Sequence, residues 1–189
     1  RPTGIRGFVM NTRKEIFRDW RVRDALIHAF NYEFINQTIN STKQPRITSY
    51  FSNSTLGMRE GEASGLVLKY LEPYKDELIP GVLDGYHLPV SNGDIRNRKN
   101  IRIARSQLKL AGWNLIDGEL QNANGKKFEF NILLESGSNE NEAIMNIFID
   151  SLKKLGINAE ISIVDNAQFK ARARTYDFDL TFYRRYLSL

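Results

Sequence analysis

Hydrophobic and polar positions along this chain follow two periods, and the change between them marks out its elements. Val22, Ala25, Leu26, Ala29 and Phe30 recur at helical spacing behind Asp19, and the pattern runs on through Phe34 and Ile35 to Ile39. That spacing predicts one amphipathic helix of about five turns, with Asp19 as its N-cap. Before it, Ile5 to Thr12 reads as a short strand. A second helix is expected from Ala63 to Leu71, stopped by Pro73.

The second half is more regular. Ile101, Ala104, Leu108 and Ala111 share one helical face, and Gly112 suits the position after it. Asp117-Gly118 carries the signal of a tight hairpin, and Asn124-Gly125 reads as a second turn. Phe128, Phe130, Ile132 and Leu134 alternate as a strand. Asn139 with Glu142 resembles a capping box ahead of an apolar stripe of Ile144, Ile147, Phe148, Ser151, Leu152 and Leu155. Ile157, Ala159, Ile161 and Ile163 alternate again, Asp165 with Gln168 opens a short helix through Tyr176, and Phe178 to Tyr183 makes a final strand. The run strand, helix, strand over 128–164 is a βαβ unit with two parallel strands, so an α/β layer is expected. Residues 40–60 and 79–97 are rich in Asn, Ser, Thr, Gly and Pro and read as long loops.

Composition narrows the chemistry. The chain has 189 residues, one domain's worth, with ordinary apolar and charged shares. Cysteine is absent, which removes thiol nucleophiles, thiolate metal sites and disulfides. No apolar run approaches the ~20 residues of a membrane helix. The net charge of +5 is mild and permits an anionic partner without requiring one. The chain opens on Arg1 and closes on Tyr186-Leu187-Ser188-Leu189 directly behind a strand-like run, so both ends read as cut and a fragment is expected.

Two histidines, His28 and His87, stand far apart, and His28 reads as structural. No metal-ligand spacing, phosphate loop or nucleophile motif is present, so neither a metal nor a cofactor is expected. Basic residues gather at Arg96, Arg98, Lys99, Arg102 and Arg105, the solvated side of a helix whose other face is apolar. A nucleic-acid-binding domain and a hydrolase with a spatial carboxylate pair are the alternatives from other classes; nucleic acid is not the expected partner. The cluster Tyr183-Arg184-Arg185-Tyr186 follows a strand, where α/β folds tend to place ligands, and its residue types suit carboxylates and amides. An exposed strand end explains it equally well.

Three segments together resemble one family. Gly7 to Thr12 with Phe17 to Leu26, then Ala104 to Trp113, then Leu155 to Ala159 with Tyr176 to Leu180, are similar in order and spacing to motifs of bacterial extracellular solute-binding proteins, family 5, the peptide- and nickel-binding receptors of ABC importers. Tyr50 to Ser54 and Phe182 to Tyr186 resemble the branch that takes up microcin C-like peptides and murein-type oligopeptides. Asn31 and Ile16 depart from the family's common Asp and Pro.

The resemblance implies a type II periplasmic-binding-protein lobe with a mixed, mostly parallel sheet flanked by helices. It implies that residues 1–189 form most of the second, C-terminal lobe, with the N-terminal lobe missing. The implied role is capture of an oligopeptide in the periplasm and delivery to an inner-membrane permease, without catalysis. Asn11, Tyr50, Asn53, Tyr183, Arg184, Arg185 and Tyr186 are then the expected ligand-binding residues.

Overall fold

A computed structural model describes residues 4–186 of the chain. Arg1 and Leu187–Leu189, on which the expectation of cut ends rested, lie outside the described residues. The chain divides into two compact units. The larger comprises residues 6–46 and 89–184; the smaller comprises, among the described residues, 4–5, 47–88 and 185–186.

The larger unit is built on a four-stranded sheet. Its strands are β1 (Ile5–Met10), β4 (Glu129–Glu135), β5 (Asn158–Val164) and β6 (Leu180–Arg185), in the order β1-β6-β4-β5. β4 pairs in parallel with β5, Ile132 beside Ile161, and with β6, Ile132 beside Leu180. β1 runs the other way, because Asn11 N at its end donates to Asp179 O just before β6 begins, at 2.8 Å. The sheet is therefore mixed and mostly parallel, as expected. α5 (Asn139–Lys153) crosses between β4 and β5 and completes the βαβ unit.

One face of the sheet carries the core. α1 (Trp20–Ala29) buries Val22, Ala25, Leu26 and Ala29 and packs against α4 (Arg98–Leu110), which buries Ile101, Ala104 and Leu108. α5 buries Ile144, Met145, Phe148, Ile149 and Leu152, while Ile147 is only partly buried. Phe130, Ile132 and Leu134 of β4 meet them. Phe17 stacks edge-on to Phe130 at 5.4 Å and Phe30 to Phe148 at 5.5 Å.

Three local expectations need correction. The long first helix is two helices, α1 and α2 (Tyr32–Thr38). Phe30 is extended at ψ 92°, and Asn31 is buried. Asn31 Nδ2 donates to Asp94 O at 2.8 Å and its Oδ1 accepts from Ser91 Oγ at 2.6 Å. Burial obliges this amide to find partners, and those partners lie outside any helix. The capping box is absent as well. Ser138 is the N-cap of α5, with Glu142 N donating to its carbonyl, while its hydroxyl donates to Glu135 O. Finally, β6 extends through Arg185 instead of ending at Tyr183.

Other local signals match. Asp19 caps α1 by accepting from Arg21 N at 2.9 Å, and the same Arg21 guanidinium holds its carboxyl below the usual range. Asp165 caps α6 (Asn166–Arg174) through Gln168 N. Between β2 (Asn114–Ile116) and β3 (Glu119–Gln121), Asp117 and Gly118 both take positive φ, 49° and 85°, as a two-residue hairpin turn requires. Gly156 ends α5 at φ 76°, where a Cβ would stand 2.8 Å from Leu120 N, so the close approach of the hairpin depends on it.

The smaller unit contains α3 (Gly65–Leu71), a 3-10 turn over Glu72–Tyr74, and otherwise turns. No described helix is long and apolar enough to cross a membrane.

Candidate functional site

In a parallel sheet the carboxyl ends of the strands face the starts of the following helices, and ligands gather there. Here that edge is formed by Glu135 of β4, Val164 of β5 and Tyr183–Arg185 of β6. The edge is tied together internally. Ser136 N donates to Val164 O at 2.8 Å, and Asn166 Nδ2 donates to Glu135 Oε1. Both α5 and α6 begin at this edge, so their positive dipole ends lie along it. Glu140 and Glu142 in the first turn of α5 offset part of that field.

β6 changes character along its length. Leu180 and Thr181 are buried, and Thr181 Oγ1 donates to Leu133 O at 2.7 Å. Phe182 packs on Phe8 with centroids 5.6 Å apart. Tyr183, Arg184 and Arg185 are exposed. Since they belong to the strand, their side chains alternate, with Tyr183 and Arg185 on the Thr181 face and Arg184 on the Phe182 face. Two guanidiniums therefore leave the sheet in opposite directions. The boundary between the units falls between Arg184 and Arg185.

Asn11 is placed elsewhere. Its Nδ2 donates to Tyr176 O and to Phe178 O, each at 2.9 Å, and its Oδ1 accepts from Arg13 N at 3.1 Å. It is buried at the opposite end of β6, where Asp179 stands. Five residues of strand, about 17 Å, separate that end from Arg184. The structure does not bring Asn11 together with Tyr183 and Arg184, and its amide is committed to the chain. The antiparallel entry of β1 produces this separation.

Tyr50 and Asn53 lie in the smaller unit, as do Arg185 and Tyr186. Tyr50 is exposed. Asn53 takes the left-handed conformation at φ 65° and lines an open cavity of about 410 Å³ with Thr48, Thr55 and Arg59. Ser49, Ser52 and Ser54 shape this loop: Ser52 Oγ donates to Ser49 O and Ser54 Oγ to Phe51 O, while Ser49 Oγ accepts from Met58 N. Arg59 was not foreseen from the sequence, although the dense Ser-Thr-Asn run before it is the signal that such a loop folds back on itself. The edge formed by Glu135, Ser138 and Asn166 was also missed, because Glu135 ends β4, Ser138 caps α5 and Asn166 opens α6, some thirty positions further on.

His28 is structural, as its place in α1 suggested. Its Nδ1 approaches Asp24 O at 3.0 Å and Asp24 Oδ2 at 3.4 Å. Burial alone would lower its pKa, but the bonds and charge of Asp24 outweigh burial and raise it above the ordinary value.

Comparison with known proteins settles the family. The sequence pattern of bacterial extracellular solute-binding proteins, family 5 (middle region), matches residues 1–188. The chain belongs to that family. Among family 5 relatives, the "Probable peptide-binding protein YejA" of Agrobacterium fabrum is 36% identical over 184 residues, 96% of this chain and 30% of the relative. The "Peptidoglycan-binding protein YepA" of the same organism is 32% identical over 180 residues, 95% of this chain and 29% of the relative. The chain thus spans about 30% of the length of the curated relatives it matches. Among solved structures, the oligopeptide-binding protein AppA of Bacillus subtilis, in complex with a nonapeptide, superposes with a TM-score of 0.69 at 22% identity, covering 99% of this chain and 32% of AppA. NikA of Brucella suis, in complex with Fe(III)-EDTA, gives a TM-score of 0.68 at 19% identity, covering 97% of this chain and 31% of NikA. These neighbours share the type II periplasmic-binding-protein fold with this family 5 chain. Members of family 5 are binding proteins rather than enzymes.

Proposed function

We propose that this chain is most of the second lobe of a two-lobed receptor that captures oligopeptides, modified ones among them, in the periplasm and hands them to an ABC permease in the inner membrane, with no catalysis. The observation that carries the reading is the family match over residues 1–188. The names of the relatives, peptide-binding and peptidoglycan-binding, support a peptide or peptide-like ligand. The physics agrees. A lobe closing over a peptide excludes water, and each hydrogen bond or ion pair to the ligand then acts in a lower dielectric.

On this reading Tyr183, Arg184, Arg185 and Tyr186 offer hydrogen bonds and positive charge to the ligand's backbone and carboxylate, and Tyr50 and Asn53 contribute from their loop. Of the two β6 faces, Arg184 with Tyr186 is the favoured pair. Asn11 belongs to the proposal only as a support that fixes the turn before β6.

The test is calorimetric titration of short peptides into a receptor of full family length that carries this segment, with Arg184→Ala and Arg185→Ala compared. Removing one partner of a desolvated charge pair costs about 2–5 kcal/mol, so at least one variant loses affinity thirtyfold or more. The isolated chain is expected to show no saturable binding at the same concentrations. If neither variant shifts the affinity threefold, the cluster is not part of the site.

A further inference from the structure

From residue 47 to residue 88 no side chain is buried, although the stretch is not polar. Its one α-helix shows the problem most clearly. Leu66 and Val67 of α3, Tyr70 one turn later and Tyr74 in the following 3-10 turn stand at i, i+1, i+4 and i+8, and form one broad row. Their exposures are 67%, 57%, 66% and 57%. A helix of a globular protein turns its apolar row inward. In α3 the partly buried positions are Leu68 and Leu71, on another side, and the larger aromatic row faces out.

The charge of this stretch also runs against the rest of the chain. Residues 47–88 hold three cations, Arg59, Lys69 and Lys75, against six carboxylates, Glu60, Glu62, Glu72, Asp76, Glu77 and Asp84, within a protein of net charge +5.

We propose that the row Leu66, Val67, Tyr70, Tyr74 is an interface, and that its occupant is the remaining polypeptide of the full-length receptor, presenting an apolar surface with a basic rim. This rests on the reading that the chain is one part of a longer two-lobed protein. Two observations select that occupant. The chain spans about 30% of its curated relatives, so the polypeptide that lies outside the shared segment is more than twice as long as the segment itself. The row is also convex, being the outer side of a helix, whereas small ligands and peptides are held in concave sites. The acidic residues around it favour a basic counterpart.

The experiment grafts residues 1–189 in place of the matching segment of the 36%-identical Agrobacterium relative and compares the hybrid with the isolated chain. Hydrogen exchange is read over residues 63–75, and unfolding midpoints in urea are measured with and without Tyr70→Asp and the milder Tyr70→Ser. The expected result is exchange at least a hundredfold slower in the hybrid than in the isolated chain. Both variants should lower the hybrid's midpoint and leave that of the isolated chain unchanged. As a second arm, the flanking polypeptide of that relative is added in trans to the isolated chain, and it should slow exchange over the same residues.

Equal exchange in all three settings overturns the proposal. So does equal destabilisation of the hybrid and the isolated chain by Tyr70→Asp, which would mean the row packs within the segment. A dimer of the isolated chain that Tyr70→Asp dissolves would assign the row to a second copy and also overturns it. Peptide titration of the hybrid keeps the two readings apart: protection without peptide binding sinks the receptor reading alone, and binding without protection sinks the interface alone.

Discussion

The two units of this molecule have similar shares of apolar side chains in their sequence but use them differently. In the larger unit, Phe17, Leu26, Ile132 and Leu152 are each almost wholly withdrawn from water. In residues 47–88, Leu56, Leu66 and Tyr70 are each about two-thirds exposed. The difference follows from period. Residues 101–163 repeat at 3.6 or at 2, so each element has one face to bury and the faces meet. Residues 47–88 are broken by Gly57, Gly61, Gly65, Pro73, Pro80, Gly81 and Gly85, and the one α-helix described among them, α3, has seven residues and turns its apolar row outward. Stability should therefore sit in one unit, and the other should depend on what covers it.

The largest effect that would break this comparison is a matched pair of truncations in the isolated chain. Phe148 is 3% exposed and packs on Phe30, so Phe148→Ala should cost about 3–5 kcal/mol. Tyr70→Ala should stay within about 0.5 kcal/mol. Urea unfolding followed by circular dichroism measures both. A loss below about 1 kcal/mol at Phe148, or an equal loss at Tyr70, would remove the distinction between the units.

A smaller effect sharpens it. Asn31 joins the end of α1 to the loop that re-enters the larger unit after residue 88. Asn31→Ala would remove from a buried position the amide that ties half-buried Ser91 and exposed Asp94 to the end of α1, and because Gly93 N and Asn97 N still bond Ser91 Oγ and Asp94 O, the cost should be about 1 kcal/mol. Asn31→Asp, which restores only the acceptor, should recover part of it. If Asn31→Ala is silent, the loop is held by Asn97 and Asn100, whose amides donate to His28 O and Val90 O.

Asn31 also shows what the sequence could and could not reveal. Its neighbours continue a helical stripe, so local spacing predicts an unbroken helix from 19 to 39. The break comes from Ser91 and Asp94, some sixty positions away. Elements whose causes are local were readable: the Asp117-Gly118 turn, the Asp165 cap and the α5 stripe, apart from half-buried Ile147, stand where spacing put them. The candidate site divides the same way. Tyr183, Arg184 and Arg185 were recognisable as residue types behind a strand, and the strand's parallel partners place them at its carboxyl edge. Asn11 looked equivalent, at the end of another strand, but the direction of β1 is a long-range choice that no local pattern encodes. That direction carries Asn11 to the far end of β6 and into bonds with Tyr176 and Phe178.

The smallest expected effect concerns pH and again separates the units. His28 lies in the last turn of α1, where a positive charge meets the negative end of the helix dipole, and Asp24 one turn earlier accepts from it. Arg46 is the opposing charge. The net result is a folded-state pKa above the ordinary 6.5. A group raised on folding binds its proton more tightly in the native state. Its stabilisation is therefore complete below the unfolded pKa and fades as pH rises through the folded one. The larger unit should lose stability on passing from pH 5.5 to pH 8, by about 1 kcal/mol or less, the range of a cation at a helix end. His28→Gln should flatten that slope in urea unfolding while keeping a hydrogen bond to Asp24 available. Exchange over residues 47–88 should not respond, because His28 belongs to the other unit. A slope that persists in His28→Gln would assign the titration to another group, and a slope of opposite sign would mean that burial, not Asp24, governs this histidine.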